Sequence, residues 1–162
     1  MPVNYSQFNS NIRTYLENQT AADSQDAGNQ IADIYVSAWN QGADLFQNSI
    51  TVQAGPIASG FASTFDAHMQ GASGPGTWGP ASTGLTAAGQ SATMAMGSGG
   101  VVANAIAPGG GGVTTPVQLY SAFRMMNASA VASALTTAFT SHVSSMQTLN
   151  TIGTTPGGST IA

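Results

Sequence analysis

Lysine does not occur in this chain, and between Ala67 and Ala162 the only Asp, Glu, Lys or Arg is Arg124. Charged residues make up 5% of its 162 residues, against roughly 25% in an ordinary globular domain. A free monomer normally covers itself with mixed charge, because charge opposes association. This composition therefore predicts a subunit clothed by other polypeptide. Large side chains are also few: six Phe, four Tyr, two Trp and seven Met, beside 20 Gly. Burying one large apolar side chain contributes about 1.5–3 kcal/mol, while ordering each backbone residue costs about 1–2 kcal/mol. On that balance a single compact core is thin, and contact with neighbouring subunits would supply the missing burial.

The net charge of −4 is seated almost wholly in the first 66 residues, where Glu17, Asp23, Asp26, Asp33, Asp44 and Asp66 face Arg13 alone. Two arginines cannot make the phosphate contacts that dominate nucleic-acid affinity, so nucleic acid is not an expected partner. Cysteine is absent, which excludes a disulfide framework and a thiolate metal site. Met1 to Tyr5 carries neither the basic nor the apolar part of a secretory leader.

Chemistry-bearing motifs are sparse. Asp66 and His68 stand two apart, and on a helix such positions face away from each other. The other histidine, His142, falls in an apolar helical pattern and reads as a packed residue. A zinc site needs three or four ligands, which these residues do not offer. No Gly-x-Ser-x-Gly elbow is present, and Gly109–Gly112 lacks the Lys-Ser/Thr of a phosphate-binding loop. The expectation is no enzyme, no cofactor and no metal.

Four zones follow from periodicity and composition. Residues 1–53 read as an N-terminal helical segment: Tyr5, Phe8, Ile12 and Leu16, then Ile31, Ile34, Tyr35, Ala38, Gly42, Leu45 and Phe46, recur at helical spacing. Asp23, Ser24 and Asp26 are available as caps between the two stripes. Residues 54–115 read as an extended Gly/Ala/Ser/Thr-rich threading region with short helices. Gly55-Pro56 is a stop signal, Ile57–Met69 a short helix, Gly71–Pro80 turn chemistry, and Leu85–Met96 a weak helix. Residues 116–152 read as one long C-terminal helix, begun by Thr115 and Pro116. Residues 153–162 form a flexible tail. The fold class is mainly α, and no internal repeat is legible.

Helical ends, a Gly-rich middle and near-absent charge resemble the minor structural proteins of tailed bacteriophages: tail, baseplate, neck or capsid-associated subunits. The resemblance covers composition and layout across the chain and rests on no motif, so it transfers no functional residue. It implies location in a virion, with copies of the same chain, in a homo-oligomer, and other virion proteins as partners. Trp39, Phe46, Trp78, Tyr120, Phe123, Arg124, Leu135 and Phe139 are the interface candidates. Trp78, framed by Gly76, Gly79 and Pro80, reads as an exposed anchor for a partner pocket. Arg124 reads as the partner of a carboxylate, in its own N-terminal helices or on a neighbour, because an unpaired arginine is costly to bury. A second reading places the uncharged run Leu85–Ala107 in a membrane during genome delivery. A third is a secreted helical effector or surface protein.

Overall fold

The computed structural model describes residues 3–42, 49–90, 93–95, 102–107, 116–145, 147–152 and 155–160. The fold is mainly helical. Helices α1 (Tyr5–Asn18), α2 (Ser24–Trp39), α3 (Ala54–Met69), α4 (Gly79–Gln90), α5 (Pro116–Phe123) and α6 (Ala128–Ser145) carry most of it, with a short 3-10 helix at Pro75–Trp78. Strands β1 (Ser49–Thr51) and β2 (Thr93–Ala95) pair antiparallel. Strands β3 (Val102–Ala107), β4 (Gln147–Ile152) and β5 (Thr155–Thr160) form an antiparallel sheet with β4 in the centre.

The first two helices begin where the sequence places cap residues. The Asn4 side chain accepts from the Gln7 backbone N–H at 2.9 Å, and Asp23 accepts from Asp26 N–H at 2.8 Å. Each satisfies one of the free donors at a helix start. The apolar stripes then face inward: Phe8, Ile12, Ile31, Tyr35, Ala38 and Trp39 are buried.

Residues 54–90 do not thread. They fold back on themselves as α3, the 3-10 helix and α4, all packed into the core. Gly55-Pro56 is no stop: Pro56 sits in the first turn of α3, where helix N–H groups have no intrahelical acceptor and a proline loses nothing. Gly79-Pro80 opens α4 in the same way. The helix expected at Leu85–Met96 therefore starts earlier and stops at Gln90.

The match extends beyond the two dipeptides. Gly55-Pro-Ile-Ala-Ser-Gly-Phe61 and Gly79-Pro-Ala-Ser-Thr-Gly-Leu85 share one pattern, and the two copies make reciprocal contacts. A Cβ on Gly60 would overlap the carbonyl oxygen of Pro80, and a Cβ on Gly84 would overlap that of Pro56. The α3–α4 crossing is thus a local two-fold arrangement in which backbone touches backbone, and this short duplication was not legible as a repeat. Gly28 of α2 meets the Ala58 carbonyl in the same manner, so α2, α3 and α4 stack through missing side chains.

The C-terminal zone is not one helix. Backbone bonds from Met125 N–H to Ala122 O and from Met126 N–H to Phe123 O close α5. Met126 takes a left-handed conformation (φ 49°), and Asn127 caps α6 by accepting from Ala130 N–H at 3.1 Å. An Asn that can bond its own downstream backbone competes with helix continuation. Beyond Ser145 the chain becomes strand, so Gln147–Ile152 lies in β4 and Thr155–Thr160, in the expected tail, pairs with it.

Candidate interaction surface

Two aromatic clusters decide where the expected interface residues go. Phe139 of α6 lies at the centre of the first, with ring centroids 4.7 Å from Phe8, 5.1 Å from Tyr35, 5.5 Å from Trp39 and 5.8 Å from Tyr5. It locks α6 onto α1 and α2. Trp78 is the centre of the second, 4.3 Å from Phe123, 6.1 Å from Phe65 and 5.6 Å from His68. It joins the 3-10 helix to α3 and α5.

Trp78 is therefore not an exposed anchor: it is 1% exposed. Gly76 lies in the 3-10 helix and Gly79-Pro80 open α4, and between them the indole packs inward onto Phe65 and Phe123. Trp39, Leu135 and Phe139 are likewise buried inside the chain, because a chain with few aromatics gains most by spending them on its own core. Phe46 lies outside the described residues. Tyr120 and Phe123 are partly buried against the core, and Arg124 is exposed.

Arg124 has no carboxylate partner in its own chain among the described residues; its guanidinium lies 5.8 Å from the centroid of the Tyr120 ring. The ion pair of the described residues joins Arg13 Nε to Glu17 Oε1 at 2.8 Å, one turn apart on the solvent face of α1. Glu17 raises the Arg13 pKa by hydrogen bond and charge. Asp66 and His68 are exposed on α3, and no group of three or more His, Cys, Asp or Glu among the described residues could hold a metal ion. The His142 side chain and Gly109–Gly112 lie outside the described residues.

The outer face of the C-terminal helices is neutral in a particular way. The exposed Thr137 and Thr140 donate their hydroxyls to the carbonyls of Ser133 and Thr136, at 3.0 and 2.8 Å, while Thr136 faces α1, donating to Ala132 O at 2.7 Å and accepting from Asn9 Nδ2 at 3.1 Å. These two exposed hydroxyls are thus turned back into the helix. At the α5–α6 elbow two methionines project beside Arg124 and Asn127: Met125 is 64% and Met126 94% exposed. Beside them a notch of about 340 Å³ is lined by Leu16, Glu17, Gln19, Phe123, Met126, Asn127, Ala128 and Val131. A second, shallower groove of about 440 Å³ runs over the α3–α4 crossing, lined in matched pairs by Pro56 and Pro80, Ser59 and Thr83, Gly60 and Gly84, Ser63 and Ala87.

Sequence reading missed the elbow because Met125 and Met126 fit an apolar helical pattern; Asn127 was the signal that the helix ends there. No described helix is long and apolar enough to cross a membrane. No family model, curated protein or solved structure matches the chain.

Proposed function

We propose that the chain is a structural subunit of a multi-copy assembly, the virion of a tailed bacteriophage being the assembly its composition resembles. The observation that carries the reading is the surface of α5 and α6. Arg124 is its sole Asp, Glu, Lys or Arg, its exposed Thr137 and Thr140 donate their hydroxyls to the helix backbone, and its elbow exposes methionine. Such a face offers little charge repulsion to a neighbouring polypeptide and loses little hydration when covered.

The packed aromatic clusters refine how this subunit works. Its own core is formed within the chain, so assembly joins folded units through their exterior. Sedimentation velocity and electron microscopy of the isolated chain over rising concentration test the reading. Discrete, concentration-dependent oligomers are expected; a monodisperse monomer up to the solubility limit would sink it. Mass spectrometry of density-purified particles tests the virion part separately. Detection at a fixed ratio to the major capsid protein is expected, and loss of the chain during purification counts against it.

A further inference from the structure

We propose that Met69 is a methionine-oxidation site, and that its sulfoxide tightens the contact between α2 and α3 through the hydroxyl of Ser24. The site is independent of the assembly reading above.

Helix geometry brings the two residues together. A Cβ on Gly28 of α2 would overlap the Ala58 carbonyl oxygen of α3 and lie 3.1 Å from the Ala62 nitrogen, so the helices touch there backbone to backbone. Ser24 precedes Gly28 by four residues and Met69 follows Ala62 by seven, spacings that return to the same helix face. The contact therefore runs on to the first residue of α2 and the last of α3. There the Ser24 hydroxyl donates to the Met69 sulfur at 3.3 Å. Both helix ends are fixed. Asp23 caps α2, and bonds from Gly71 N–H to His68 O and from Ala72 N–H to Ala67 O, at 3.0 and 2.9 Å, close α3.

Burial divides the pair. Ser24 is 6% exposed and Met69 80%. The donor is shut away from water, while its acceptor stands open to small oxidants. A thioether is a weak acceptor, so the buried hydroxyl is held by less than a full hydrogen bond. Met125 and Met126 are 64% and 94% exposed, but no donor reaches their sulfurs among the described residues. They are open to the same oxidant and have no neighbour to register it.

Hydrogen peroxide is the oxidant. The Met69 sulfur gives a lone pair to one peroxide oxygen, the O–O bond breaks, and an S–O bond forms. The departing hydroxide takes the proton of the transferred hydroxyl and leaves as water. Sulfur loses two electrons and the peroxide gains them. The product is a polar sulfoxide, whose oxygen is a far stronger acceptor than the thioether sulfur. Methionine is unbranched, with three rotatable bonds, so the exposed side chain can turn that oxygen toward Ser24.

Urea unfolding of the full chain before and after hydrogen peroxide tests the proposal, in wild type, Ser24→Ala and Met69→Leu. Ser24→Ala removes one oxygen, and Met69→Leu exchanges an exposed side chain for one of similar volume; circular dichroism confirms that both fold. Peptide mass spectrometry locates the sulfoxides. Oxidation at the other methionines is common to the three proteins and cancels between them. Relative to Met69→Leu, oxidation of wild type should lower the unfolding equilibrium constant at least about twofold. Ser24→Ala should lose that gain, and methionine sulfoxide reductase should reverse it in wild type. The proposal falls if peroxide that oxidises Met125 and Met126 leaves Met69 intact, if wild type and Met69→Leu respond alike, or if the gain survives in Ser24→Ala.

Discussion

The two halves of the core hold helices together by opposite means. Around Phe139, α1, α2 and α6 are kept together by large rings in edge-on and tilted contact. Around Gly60 and Gly84, α3 and α4 are held by the lack of any side chain, so that each backbone rests on the other's carbonyl. The first seam gains stability from buried area. The second gains it from close approach, and tolerates no added atom. A chain poor in large residues can thus complete a core by concentrating its rings at two points and closing the remaining contacts with glycine and alanine.

The largest expected effect breaks the aromatic seam. Phe139→Ala removes the ring that four others touch and should cost about 3–5 kcal/mol, read as a fall in the denaturant midpoint. Next, Gly84→Ala should cost about 1–3 kcal/mol, although alanine is the better helix former, because the new methyl overlaps the Pro56 carbonyl. A Gly84→Ala protein as stable as wild type would remove the distinction between the seams.

The third test is alkaline. Burial raises the Tyr35 pKa above its ordinary value, and a hydrogen bond with Trp39 offsets part of the rise. The folded protein then keeps a proton that the unfolded chain releases above pH about 10. This contribution is whole below that pH and declines by about 1.4 kcal/mol per pH unit above it. Tyr35→Phe should remove its share of the decline in urea titrations at rising pH, while any remaining slope belongs to other groups. The smallest effect sharpens the glycine seam. Gly55 occupies the same repeat as Gly60, yet a Cβ there meets nothing within 4 Å beyond its chain neighbours. Gly55→Ala should change stability by less than about 1 kcal/mol in a thermal melt, the better helix former set against the crowding of a side chain before Pro56, in contrast to Gly60.

The aromatic seam was largely legible. Phe8 and Ile12, then Ile31 and Tyr35, announce two amphipathic helices by spacing alone, and Asp23 announces the start of α2. The glycine seam was not. Gly55-Pro56 and Gly79-Pro80 carry the same residues in a turn and in a first helical turn, and only the packing of α3 against α4 separates the two meanings. Periodicity also fails at Met125–Asn127, where methionines continue the apolar pattern while the backbone reverses hand. Trp78 shows the limit of local context: its glycine-rich flanks suggest exposure, but Phe65 and Phe123, distant in sequence, bury it.

The absence of lysine leaves Arg13 and Arg124 as the two bonds open to a trypsin-like protease. Arg13 lies within α1, where a regular helix resists entry into a cleft that demands extended backbone. Arg124 stands in an exposed turn between two helices, the kind of site where nicking concentrates. The native molecule therefore carries a single ready scissile bond, and the rate at which it is cut reports whether the elbow is open or shielded.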